Sequence, residues 1–137
     1  MQATASSTAA PVTGVTSPVA QLLAAGPPPA SCPSRVVLDH VTSRWGVLVL
    51  VALAERSLRW GELRRVVEGV SEKMLAQTLR TLEADGLVDR TVGGTVPPRV
   101  DYALSPLGRD LAAHLLPLVS WAVAHAEEIV AGRSTSP

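Results

Sequence analysis

The chain has 137 residues, 47% of them apolar and 3% aromatic, with no Phe. This is the size of one ordinary domain with a core built mostly of Leu, Val and Ala. Basic and acidic residues, 12 of each, cancel to a formal net charge of +0, so any case for a polyanionic partner rests on a local patch. The single cysteine, Cys32, excludes an intramolecular disulfide and with it the small secreted disulfide scaffolds.

Residues 1–30 are uncharged and rich in Ala, Ser, Thr, Pro and Gly. With little to bury they are expected to form a disordered extension, in which "VAQLLAA" reaches at most a transient helical turn. "MQATASSTAA" lacks the basic start of a signal peptide. The apolar run "WGVLVLVALAE" is about half the ~20 residues a bilayer span needs, and no stretch reads as long and apolar enough. These features predict a cytoplasmic protein with no membrane partner.

The folded domain is expected over residues 31–131, with a frayed tail at 132–137. Pro33 suits the first position of a helix with Val36, Val37, His40 and Val41 on one face. "WGVLVLVALAERS" reads as a buried helix ending near Glu55, with a strand as the competing reading because of its valines. "RWGELRRVVEG" predicts a short helix with Trp60, Leu63, Val66 and Val67 inward and a stop at Gly69. Ser71 can cap the next helix, which carries Met74, Leu75, Leu79 and Leu82 at helical spacing and ends near Asp85, with a stop at Gly86. "LVDRTV" and "RVDYAL" suit short strands joined by the turn "GGTVPP", a β-hairpin. From Pro106 a last helix places Leu107, Leu111, Leu115, Leu118, Ala122 and Ile129 down one side. Pro117 inside it is expected to kink or split the helix near Leu116. There is no internal repeat.

A short helix, a glycine-containing turn and a capped amphipathic helix form a helix-turn-helix pattern, and the hairpin after it would be a wing. In this phase Leu75, Leu79 and Leu82 face the core, while Lys73, Ala76, Gln77 and Arg80 face away, with Thr81 on the flank. Lys and Arg suit guanine edges and phosphates, Gln suits adenine edges, and Ala76 is small enough to allow approach. A solvated helix face with no partner carries the same residue types. Arg56, Arg59, Arg64, Arg65, Arg90 and Arg99 lie on the neighbouring elements, where they can meet backbone phosphates. Glu62, Glu68, Glu72 and Glu83 are interleaved with them, so some of these arginines serve in salt bridges, and Arg90 beside Asp89 reads equally well as structural. The candidate DNA-binding residues are Ser71, Lys73, Gln77, Arg80, Arg64 and Arg99.

Cys32 precedes Pro33 and so falls at a helix cap. There unpaired amides and the helix dipole, with Arg35 one turn on, favour the thiolate. The plainer reading is a small buried hydrophobe. His40, His114 and His125 form no metal-ligand pattern, and no phosphate-cradling loop or nucleophile elbow is present, so neither a metal, a cofactor nor an enzyme is expected. Three functions are weighed: a sequence-specific DNA-binding regulator, a winged helix used only for protein–protein interaction or dimerisation, and a small enzyme. The chain has no second domain for an interaction module to serve and no catalytic constellation, which leaves the regulator.

Over residues 32–125 the sequence resembles the HxlR-type winged helix-turn-helix regulators of bacteria. "CP" at Cys32 resembles the family's N-terminal cysteine, and "SRWGVLVLVAL" its Gly-Lys-Trp segment. "RWGELRRVVEGVSEKMLAQTLRTLEADGLVDR" resembles its helix-turn-helix, and "PPRVDYALSPLGRDL" its wing and following helix. Ser43 and Arg44 stand where the family usually has Gly-Lys, Gly46 replaces a small hydroxyl residue, and the wing "VGGTVPP" lacks the frequent aromatic. The resemblance implies a mostly α-helical fold with a small β-hairpin, a winged helix-turn-helix with extra N- and C-terminal dimerisation helices. It also implies a homodimer on a pseudo-palindromic operator in double-stranded DNA. That agrees with the last helix, which is too apolar to cover only one small core. Val37, Leu111, Leu115, Leu118, Trp121 and Ala122 are the dimer-interface candidates. Some members of the family sense quinones, aldehydes or oxidants through a cysteine at the place of Cys32. This makes Cys32 a candidate redox sensor near the dimer interface and a small molecule or oxidant the candidate effector. Repression is the expected outcome for a one-domain dimer.

Overall fold

The computed structural model describes residues 17–134. Two compact units make up the chain, one ending at Val36 and the other starting at Val37. In the first, α1 (Pro18–Ala25) is capped by the Ser17 side chain, which accepts from the Ala20 amide at 3.0 Å. A helix therefore stands inside the segment expected to be disordered. Its Val19, Leu22 and Leu23 are all exposed, so local capping rather than packing defines it. Residues 1–16 of that expectation lie outside the described residues, as do residues 135–137 of the expected frayed tail, whose residues 132–134 continue the last helix. Helix α2 (Pro33–Val41) begins in the first unit and ends in the second.

In the second unit α3 (Arg44–Ala52) is helical, as its apolar run predicts, with Val49 and Leu50 fully buried. Ser43 caps it, accepting from the Gly46 amide at 3.1 Å while donating to the His40 carbonyl at 2.8 Å. A Cβ on Gly46 would collide with that same carbonyl oxygen and with Ser43 Oγ, so this tight turn needs glycine. Strand β1 (Leu58–Arg59), α4 (Trp60–Val66), α5 (Glu72–Ala84), β2 (Val88–Val92), β3 (Val100–Leu104) and α6 (Pro106–Ser134) follow.

The hairpin β2–β3 pairs in antiparallel register from Val88↔Leu104 to Val92↔Val100. The sheet has a third strand that the sequence does not announce. β1 pairs with β3 through Leu58↔Tyr102 and Arg59↔Asp101, giving the order β1-β3-β2. In α4, Leu63 and Val67 point inward as expected, but Val66 is 55% exposed. The helix ends at Val66, and Val67 leaves helical geometry at φ −91°, ψ 80°, which turns its side chain into the core.

Helix α6 runs unbroken for 29 residues with Pro117 inside it, so the expected split does not occur. Pro117 removes one amide from the helical ladder, and the Ala113 carbonyl it leaves open lies on an exposed turn that water can reach. The segment Pro106–Arg133 is also long and apolar enough, by length and composition, to cross a membrane, with a window mean hydropathy of 1.2. That corrects the expectation that no segment qualifies. The apolar residues are spread around the helix and along its length rather than concentrated in one run.

The joint between hairpin and helices is tight. Ser105 Oγ donates to the Gly86 carbonyl at 2.6 Å and accepts from the Gly108 amide at 3.0 Å, while the Ser105 amide reaches the Leu87 carbonyl at 3.0 Å. A Cβ on Gly108 would run into the Leu87 carbonyl, so α6 and the end of α5 meet backbone to backbone. The core is Leu and Val throughout, with Tyr102 as its one buried aromatic.

Candidate nucleic-acid interface

Helix α5 forms where the apolar spacing places it. Ser71 accepts from the Met74 amide at 3.1 Å, Gly86 leaves the helix at φ +77°, and Leu75, Leu79 and Leu82 are buried to within 2%. Lys73, Gln77 and Arg80 are exposed on the opposite face. None of the three makes a hydrogen bond or ion pair among the described residues. Met74 is exposed as well, beside Gln77 on the flank that faces α2 and α3, where both line a small cleft with His40 and Trp45. His40 Nδ1 lies 2.8 Å from Asp85 Oδ2 and ties the end of α2 to the end of α5. Arg80 lies on the other flank, toward the hairpin.

The remaining DNA candidates divide by pairing. Arg64 is 3.3 Å from Glu72, and Arg99 holds Asp101 with Nε 3.2 Å from both carboxylate oxygens. Both guanidiniums are about half exposed, so each pair sits in water and is held weakly. Arg56 and Arg59 share Glu62, which also accepts from the Arg59 amide at 2.9 Å. That amide, then the two arginines, hold the Glu62 carboxyl below its ordinary value against the opposing effect of burial. Arg90, by contrast, makes no pair with Asp89 or with any other described residue.

Of the dimer candidates, Leu115 is buried in the core of its own domain and Leu111 packs against that core. Their register is set by Ala112 and Gly108, which bring that side of α6 close to the sheet joint. Leu115 thus has little surface left to offer a partner, while Leu111 is only partly covered. Val37, Leu118, Trp121 and Ala122 remain exposed, and Trp121 stacks on His125 with ring centroids 4.7 Å apart.

Cys32 is half-buried just before α2, with Sγ 3.1 Å from Ser34 Oγ. The Ser34 hydroxyl lowers the thiol pKa most, followed by the Ser34 amide. Burial opposes them and the Arg35 amide adds to them, leaving the thiol below its ordinary value. The cap amides act as the sequence predicts, but the Arg35 guanidinium is turned to the Pro28 carbonyl at 3.4 Å. Ser34, two residues on in the first turn, is the contact that sequence reading misses, and its spacing from Cys32 is the signal. Among the described residues no cluster of His, Cys, Asp and Glu could hold a metal.

A family model described as HxlR-like helix-turn-helix matches residues 40–130. The HTH-type transcriptional regulator YtfH of Escherichia coli K12 is 52% identical over 102 residues, covering 74% of this chain and 81% of YtfH. A solved structure of the transcriptional regulator ytfH from Salmonella typhimurium has a TM-score of 0.73 at 48% identity, covering 77% of this chain and 95% of that one. The redox regulator HypR in its oxidized form has a TM-score of 0.64 at 34% identity, covering 68% of this chain and 96% of that one. The helix-turn-helix with its hairpin, matched over this span and at these identities, places the chain in the HxlR-like helix-turn-helix family, as a transcriptional regulator and not an enzyme.

Proposed function

We propose that the protein is a cytoplasmic homodimer that binds a pseudo-palindromic operator and represses transcription, with Cys32 as its redox sensor. The observation that carries DNA binding is the outer face of α5, where Lys73, Gln77 and Arg80 are exposed without partners on a helix whose ends are both fixed. Side chains spent on internal pairs would have to be released first, at a cost these three avoid. Lys73 and Gln77 read base edges, Ser71 anchors the helix start against phosphate, and Arg64 and Arg99 exchange exposed ion pairs for backbone phosphates.

The dimer follows from α6. Beyond Leu115 it leaves Leu118, Trp121, Val123, Ile129 and Val130 exposed, and Val37 and Leu38 of α2 are exposed too. A monomer gains nothing from so much exposed apolar surface. A second copy covers it better than a bilayer does, because the first half of α6 is fastened to its own domain through Ala112 and Leu115. Two recognition helices then sit about 34 Å apart, one turn of B-DNA. For Cys32, the support is the lowered thiol pKa together with the likeness to HypR, a redox regulator.

Fluorescence anisotropy with a duplex from upstream of the protein's own gene tests the reading. Tight binding to that duplex and at least ~10³-fold weaker binding to an unrelated one is expected. Equal affinity for both duplexes would overturn sequence-specific regulation.

A further inference from the structure

A cleft of about 390 Å³ lies between α5 and the hairpin, lined by Trp60, Arg80, Glu83, Arg90 and Tyr102 over an apolar floor of Ala76 and Leu79. Its lining is unusually rich in unused donors. Among the described residues neither guanidinium has a carboxylate or carbonyl partner, and neither the Tyr102 hydroxyl nor the Trp60 indole N–H is hydrogen-bonded. Tyr102 is 8% exposed, yet no side-chain polar atom is both buried and without a partner. Its hydroxyl must therefore lie in the small part of the residue that reaches solvent, at the cleft it lines. Trp60, half-buried, reaches solvent too, but it lines a second cleft beside the wing turn as well.

Two guanidinium charges and the Tyr102 hydroxyl stand against one carboxylate, Glu83, which is exposed and free to turn into water. A phosphate matches that inventory. It carries negative charge, offers only acceptors, and takes two guanidinium forks at once. A neutral or cationic ligand would leave the arginines unsatisfied. We propose that this cleft is a phosphate seat in which Arg80 and Arg90 grip one phosphate group from opposite walls and the Tyr102 hydroxyl donates to it.

The seat reassigns Arg80 from base reading to backbone clamping and gives Arg90 a role outside the Asp89 pair. The phosphate comes from a DNA backbone if the previous reading holds, since the cleft lies between the helix and the wing that would flank a strand. It comes from a free phosphate otherwise.

The test uses the full chain, a 30-base-pair random duplex, the upstream duplex and inorganic phosphate. If the source is DNA, Arg90→Ala weakens binding to both duplexes alike, by about tenfold, and flattens the salt dependence by about one charge. Arg90→Lys keeps the salt slope but regains only part of the affinity. Tyr102→Phe, which preserves the ring in the core, costs about threefold. Arg133→Ala removes a charge at the far end of α6 and leaves binding within twofold. If duplex binding is untouched but calorimetry shows inorganic phosphate binding that Arg90→Ala abolishes, the seat stands with free phosphate as its ligand. If the wild-type chain binds phosphate and no duplex, DNA regulation fails while the seat survives. Neither effect in a folded Arg90→Ala protein overturns the seat.

Discussion

Helices α5 and α6 both carry more surface than their own core uses, but of opposite kinds. α5 has 13 residues, buries three leucines, and leaves charge and amide outside. α6 has 29 residues, buries Gly108, Ala112 and Leu115 in its first third, and leaves a tryptophan and several aliphatics outside. Core packing alone cannot tell the two apart, since each buries a leucine-bearing face against the same core. What remains unpaired on each does: polar donors on one call for a polyanion, and apolar area on the other calls for a like surface. On the function proposed above, recognition and assembly are separated by helix, and each helix should fail in its own way.

The largest effect should come from breaking the feature the helices share, the core. Leu79→Ala removes a side chain that is 2% exposed and should cost about 2–5 kcal/mol, read as a lowered midpoint in urea denaturation at fixed protein concentration. A cost below 1 kcal/mol would mean that α5 is not held by its apolar face. Trp121→Glu tests assembly alone. It should weaken the dimer by about 2–4 kcal/mol in sedimentation equilibrium. Far-ultraviolet dichroism of the monomer should not change. A wild-type monomer at micromolar concentration would refute the assembly reading directly.

Gln77→Ala tests recognition alone. It should cost about 1–3 kcal/mol on the upstream duplex and relax preference at one base pair, with the dimer unaffected. Unchanged selectivity would make the outer face of α5 a solvated surface. The smallest and most local effect concerns the thiol. Because the Cys32 pKa is lowered, its thiolate persists to lower pH than that of a free cysteine, so the rise of its alkylation rate with pH should be displaced to lower pH than that of free cysteine. Ser34→Ala should move that profile back toward higher pH. A profile equal to that of free cysteine would leave Cys32 as a packing residue, as would equal DNA binding by oxidised, alkylated and Cys32→Ser protein.

The parts of the fold legible in the sequence are those with a period and a stop. Helix α5 shows both in Leu75, Leu79, Leu82 and Gly86, and the hairpin shows its turn. Strand β1 has two residues and no period, and exists only because β3 offers a free edge to it. Val66 turns outward because α4 ends there and Val67, outside helical geometry, takes the place in the core, an event that local spacing does not encode. Pro117 leaves α6 whole because it lies on an exposed stretch. At the candidate site, the outer face of α5 follows from helical phase, whereas pairing does not. Arg99 and Arg90 look alike in the sequence, yet one is bound to Asp101 and the other is free. Leu115 and Leu118 look alike too, until Gly108 and Ala112 fix which side of α6 is drawn inward.

The Ser105 joint, where Gly86, Leu87 and Gly108 meet, has a mechanical consequence. It leaves almost no slack between the base of α6 and the end of α5. A helix of 29 residues is about 43 Å long, so a tilt of about 5° at its base carries the far end through ~4 Å. If two copies meet near Trp121 as proposed, a shift there of a few ångströms arrives at the joint as a small rotation with little compliance to absorb it. Coarse movement at the long arm would then become fine angular adjustment at the helix with the free lysine, glutamine and arginine.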